Sequence, residues 1–154
     1  REGAQEAAGE ARPSQTQRLV AHTLRNLHLP FREEACDAAS AYSLDLLLDA
    51  RSPLAPPPAK AAPAGWAVEV DGPPHFLLGS RTATGSTALK RRHLTALGYH
   101  LVSIPYWEWD AARQWGGREA YLVRKLQLQR DAPPLPPLPP WPRHRKPPRP
   151  PRPP

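Results

Sequence analysis

Methionine is absent from this 154-residue chain, cysteine occurs once, and phenylalanine only twice. A single thiol, Cys36, excludes an internal disulfide and fits a reducing compartment. No uninterrupted apolar run approaches the ~20 residues that span a bilayer, so no membrane partner is expected. One cysteine and scattered histidines cannot supply the four ligands of a structural zinc site. There is no Gly-rich phosphate loop, no strand lysine in a Val-Ala-Ile-Lys setting, and no His-Arg-Asp or Asp-Phe-Gly, so no kinase function is expected. Lacking methionine and opening on Arg1, it reads as a C-terminal piece of a longer protein, with any targeting peptide lying outside it.

What is present is unevenly spread. Thirteen of the 23 prolines fall in residues 132–154. The net charge of +7 divides into −1 for residues 1–12, +3 for 13–129 and +5 for 130–154. We therefore expect a folded domain over 13–130 between a disordered N-terminal segment, 1–12, and a disordered Pro/Arg-rich tail, 131–154. Such a core is long enough to bury about two-thirds of its unfolded surface. The basic pI then reports either a basic tail on a nearly neutral domain or, in part, a surface facing phosphate.

Within the core, Pro13-Ser14 caps a predicted helix over Gln15–Leu27, with Leu19, Val20, Leu24 and Leu27 on its apolar face. Phe31–Cys36 reads as a short edge strand. Tyr42–Asp49 reads as a central strand, which makes its interior charge, Asp45, stand out. Ser52–Ala64, with five prolines, reads as a loop or insertion. Alternation along Trp66–Asp71 puts Glu69 and Asp71 on one face and Trp66, Val68 and Val70 on the other. A polar loop, Gly79–Gly85, leads to a helix over Ser86–Leu97 with Gly98 as its C-terminal stop. Tyr99–Ile104 is the next strand, and a last helix spans Gly117–Leu128. The pattern gives a mixed α/β sandwich.

The helix over 86–97 carries Leu89, Leu94 and Leu97 on an apolar arc of about 140°, and Lys90 falls inside that arc. Lys90 is therefore expected to snorkel or to meet a carboxylate. Arg91 is expected to face outward and Arg92 to flank the arc. Both read either as a solvated face or, with Arg81 on the adjoining loop, as a phosphate-binding patch. Tyr106, Trp107 and Phe76 are candidates for stacking on unpaired bases. Trp107 and Trp109 also flank Glu108 in an alternation that suits packing against the last helix. The tail segment Pro133–Trp141 contains overlapping Pro-x-x-Pro and is prone to polyproline II, which leaves a protein-interaction role open.

Val68-Glu69-Val70-Asp71-Gly72-Pro73-Pro74-His75-Phe76, Lys90–Leu94 and Leu97–Trp109 resemble the RAP signature. Tyr42–Asp45 and Tyr121–Leu126 match the same pattern, in family order. The resemblance implies a module at the C-terminus of FAST-kinase-family, octotricopeptide-repeat and apicomplexan proteins that act on mitochondrial or chloroplast RNA. It implies single-stranded organellar transcripts as partners, together with an upstream helical-repeat region of the same parent chain. It also implies a restriction-endonuclease-like mixed sheet flanked by helices, similar to very-short-patch-repair endonucleases and other PD-(D/E)xK nucleases. On that scaffold Asp45 would match the first Asp and Glu69-Val70-Asp71 the acid-x-Lys triplet. The departure is that Asp71 stands where the catalytic lysine would be, and Lys90 is the candidate replacement.

Two functions follow as expectations. The first is an RNA-binding module contacting RNA through Arg81, Lys90, Arg91, Arg92, Tyr106 and Trp107. The alternative is a metal-dependent endoribonuclease using Asp45, Glu69, Asp71 and Lys90. In it Mg²⁺ or Mn²⁺ is held by the three acids and His75. Like-charged carboxylates that are buried together demand such a metal or a basic partner.

Overall fold

A computed structural model of the chain describes residues 13–48 and 64–126. The expectations placed on 1–12, on most of 52–64 and on the Pro-rich tail lie outside the described residues. The described residues form an α/β fold with a four-stranded mixed sheet and four α-helices. Helix α1, Gln15–Asn26, starts where Ser14 Oγ accepts from the Gln17 N–H at 3.1 Å. It buries Val20, Ala21 and Leu24 completely. Leu19 was expected on this face but is exposed. At ~100° per residue it sits outside the arc that Gln17, Val20, Ala21 and Leu24 define.

Strands β1 (Phe31–Cys36), β2 (Ser43–Leu48), β3 (Gly65–Asp71) and β4 (Tyr99–Pro105) lie in that order across the sheet. The first two pairings are antiparallel, and β3 with β4 is parallel, with Glu69 opposite Ser103 and Asp71 opposite Pro105. β1 is an edge, as expected. β3 is buried along its whole length, as a strand covered on both faces must be.

The main core joins Val20, Leu24, Leu46, Val68, Ile104, Trp109 and Tyr121. A smaller one on the other side joins Leu44, Leu47, Ala67 and Leu94. Leu94 belongs to α2, Gly85–Ala96, which links β3 to β4 as a βαβ unit. Two leucines expected on the inner face of α2 are outside it: Leu89 is 42 % and Leu97 38 % exposed. The face that meets the sheet is instead Thr87, Lys90, Arg91 and Leu94, spaced i, i+3, i+4 and i+7.

Residues Tyr106–Ala111 form a short helix, α3, where no helix was expected from the sequence. Pro105 has no N–H to continue the ladder and serves as N-cap, while Glu108 complements the first-turn dipole. On a helix, Trp107 and Trp109 point to nearly opposite sides and do not both pack on the last helix. Trp109 is buried and meets Tyr121 at 6.1 Å between ring centroids. Helix α4 covers Arg118–Lys125, starting one residue later than expected, after Gly116 and Gly117 at φ 89° and 99°. Glu108 ties α3 to α4, accepting from Tyr121 Oη and Lys125 Nζ, both at 2.7 Å. Among the described residues no helix is long and apolar enough to cross a membrane.

Candidate functional site

The parallel pair β3 and β4 brings the carboxyl ends of both strands to one edge, where ligand crevices of α/β sheets form. An open cleft of about 340 Å³ lies there, lined among others by Glu69, Asp71, His75, Thr87, Lys90 and Arg91. Glu69 and Asp71 leave the same face of β3 and are both buried, at 5 % and 2 % exposure. Lys90 Nζ donates to Glu69 Oε2 at 2.6 Å, so the lysine on the inner face of α2 does meet a carboxylate. Arg91, expected to face outward, turns inward: its Nη2 donates to Asp71 Oδ2 at 2.7 Å and to Ser103 Oγ at 3.0 Å. Ser103 Oγ also donates to Asp71, and His75 Nδ1 stands 3.5 Å from Asp71 Oδ1 and 3.2 Å from Thr87 Oγ1. Ser103 was missed by sequence reasoning, although its register opposite Glu69 follows once β3 and β4 are paired.

Asp45 sits where the β2–β3 backbone pairing stops. Pairing runs from Leu48↔Trp66 to Leu46↔Val68, and the Val70 N–H then donates to Asp45 Oδ2 at 2.8 Å. A side chain thus replaces a ladder acceptor. Burial pushes the Asp45 carboxyl up from its ordinary value, and the Val70 N–H partly offsets this. Burial, reinforced by the neighbouring charge of Asp45, pushes Glu69 further, to about 7 despite the Lys90 hydrogen bond. Asp45→Ala removes the acceptor of a buried N–H and should cost about 1–3 kcal/mol. Asp45→Asn keeps an acceptor and removes a half-buried charge, so its urea midpoint should equal or exceed that of the wild type.

As arranged, these donors do not fit Mg²⁺ or Mn²⁺. Asp45 holds a backbone N–H, Glu69 holds Lys90, and Asp71 holds Arg91 and Ser103. Among the described residues no three His, Cys, Asp or Glu side chains converge on a metal-sized point.

A second feature adjoins the cleft, beginning one residue after His75. Phe76 and Trp107 approach to 4.4 Å between ring centroids, and Tyr106 and Trp107 to 5.2 Å, edge to face. The Arg81 guanidinium lies 5.6 Å from the Trp107 ring centroid, within cation–π range. Phe76 is buried, while Tyr106 and Trp107 are half-buried. Arg92 stays exposed on α2. The structure thus gathers Glu69, Asp71, Lys90, Arg91 and His75 around the cleft, while Asp45 is tied to the Val70 N–H and is not part of its lining. Arg81, Tyr106 and Trp107 form a separate ridge. One further signal was legible in the sequence: from Gly72 to Trp107 there are four Lys/Arg, three His and no carboxylate.

Residues 68–125 match the family model of the RAP domain. The chain is 44% identical over 57 residues to the rat FAST kinase domain-containing protein 3, mitochondrial, covering 37% of this chain and 9% of that protein. It is 48% identical over 44 residues to a rice RAP domain-containing protein, chloroplastic, covering 29% and 7%. It is 40% identical over 53 residues to the mouse Fas-activated serine/threonine kinase, covering 34% and 10%. The matched part is thus a tenth or less of the length of these relatives.

Proposed function

We propose that this chain, which carries a RAP domain at residues 68–125, is an RNA-binding module of a protein of mitochondrial or chloroplast RNA metabolism. The described residues of its expected folded unit, 13–130, are 13–48 and 64–126. The observation that carries this reading is the ridge of Phe76, Tyr106 and Trp107 with Arg81 against it, in a stretch of 36 residues free of carboxylates. The half-buried rings of Tyr106 and Trp107, backed by the buried Phe76, suit unpaired bases, which stack on them while a cation meets phosphate. Arg92 extends the cationic face. Lys90 and Arg91 hold α2 against the sheet through Glu69 and Asp71, so their part is to fix the scaffold that presents the ridge. The mitochondrial and chloroplastic names of the relatives support an organellar setting. Upstream helical repeats of the parent chain would choose the RNA sequence.

Binding is favoured over metal-dependent cleavage because each acid of the nuclease pattern already has its own partner in the protein. The test is a filter-binding titration of Arg81→Ala/Arg92→Ala against unrelated RNA single strands. Affinity should fall similarly for all of them. The slope of log affinity against log salt should shrink by roughly 0.7 for each arginine–phosphate pair removed, about 1.4 for both. An unchanged slope with the fold intact would leave the ridge without a role in phosphate binding.

A further inference from the structure

Between β3 and α2 the chain makes a small pinned hairpin. Phe76 bridges Ala83 antiparallel. The Leu77 N–H donates to Thr82 O at 2.8 Å, Ser80 N–H to Leu77 O at 3.0 Å, and Thr84 N–H to His75 O at 2.9 Å. Gly79, at φ 67°, supplies the left-handed residue that the reversal needs. Its root, Phe76, is buried against Trp107. Two leucines stand out at its end: Leu77 is 52 % exposed and Leu78 fully exposed. Two adjacent leucines held out by a backbone that cannot readily fold them back form a prepared contact, whereas isolated exposed leucines carry no such meaning.

The surroundings of the tip decide what it touches. Arg81 is on the same hairpin and lies against Trp107, and no carboxylate occurs from Gly72 to Trp107. Exposed leucines on a hairpin that also carries Arg81 complement a partner that is apolar on its faces and anionic at its edge, which describes nucleobases on a phosphate chain. We infer that Leu78, with Leu77 behind it, is a wedge that enters between successive bases of the RNA strand held on the aromatic ridge. Leucine serves in this way where proteins unstack a base step. The inference rests on the RNA-binding reading and adds to it the class of substrate: flexible, unpaired RNA whose bases separate easily, in preference to a stacked or paired strand.

The test compares wild type with Leu77→Ser/Leu78→Ser and with Leu78→Phe, using labelled oligo-U and oligo-A at several salt concentrations. Both serine substitutions fall on exposed side chains, so the melting temperature should stay near that of the wild type. The double variant should bind oligo-U about tenfold more weakly, with an unchanged salt slope because every phosphate-binding cation is kept. Leu78→Phe should keep wild-type affinity. Wild type should also reduce the base-stacking circular dichroism of oligo-A, and the double variant should not. Wild-type affinity and undiminished unstacking by the double variant would overturn the wedge while leaving RNA binding standing. A wild type that binds neither oligonucleotide would overturn the RNA-binding reading and the wedge with it.

Discussion

Replacing Trp109 by alanine should cost the fold on the order of 3–5 kcal/mol, whereas Trp107→Ala should cost RNA affinity and little stability. The two tryptophans stand two residues apart on α3, and the helix sends them in opposite directions. Trp109 is 1 % exposed, packs on Tyr121 and has the Arg118 guanidinium 4.7 Å from its ring centroid. Removing it leaves a cavity where α3, α4 and the sheet meet. A domain of this size has roughly 5–15 kcal/mol to lose, so the urea midpoint should fall by a large fraction. Trp107 is half-buried and meets Phe76, Tyr106 and Arg81 at the surface. Its removal should shift the midpoint slightly and weaken single-strand binding by about 1–3 kcal/mol, the usual worth of one stacked base. Equal destabilisation by both substitutions, with RNA affinity untouched in Trp107→Ala, would make Trp107 a core residue and remove the ridge as an interface.

Most of the sheet was legible in the sequence because period-two patterns survive in short strands. Trp66–Asp71 divides its side chains between the faces as alternation requires, and Phe31–Cys36 is the edge it resembles. The inner face of α2 was hidden for a physical reason. Leucines ordinarily mark the buried stripe, but α2 packs through Thr87, Lys90, Arg91 and Leu94 because the strand beneath it presents Glu69 and Asp71. Lys90 could be placed because it lies one turn before Leu94, the one leucine of that arc that does meet the sheet. Arg91 could not, because its partner is fixed by the register of β3 and β4 rather than by anything local. α3 escaped for a related reason: Tyr106–Ala111 is too short for helical periodicity, and its signals are only Pro105 and Glu108.

A helix docked through ions onto buried acids is an arrangement that stability alone does not favour. Two cations pair with two carboxylates, Glu69 and Asp71, beside a third, Asp45, that is held by the Val70 N–H. The hairpin and ridge begin directly after this network, at Gly72, and end on α3 directly after Pro105. The ion pairs therefore fix both borders of the proposed RNA-facing surface: Asp71 opens the hairpin, and its partner Ser103 lies on the strand that leads into Tyr106 and Trp107.

The cost of that arrangement should be visible at Glu69. Glu69→Gln should make the protein more stable than wild type at pH 8 and no more stable at pH 4.5. Burial, then the charges of Asp45 and Asp71, lift the Glu69 carboxyl from 4.5 to about 7, with Lys90 opposing. The folded protein therefore holds this proton at pH values where the unfolded chain has released it. Stability from this group is fully present below the unfolded value of 4.5 and is lost as pH rises through about 7. At roughly 1.4 kcal/mol per pH unit the loss amounts to about 3 kcal/mol. Glutamine cannot ionise and avoids it, while weakening the tie to Lys90. That lysine is 26 % exposed and can turn to solvent, which limits the penalty to about 1 kcal/mol. The net gain at pH 8 should be about 2 kcal/mol, shrinking through neutrality and vanishing or reversing below pH 5. Asp45 is displaced in the same direction and leaves a slope in both proteins, so the measurement is the difference between their urea midpoints from pH 4.5 to 8. Parallel curves across that range would mean that Glu69 is ionised in the folded state at every pH tested, with Lys90 compensating fully for its burial.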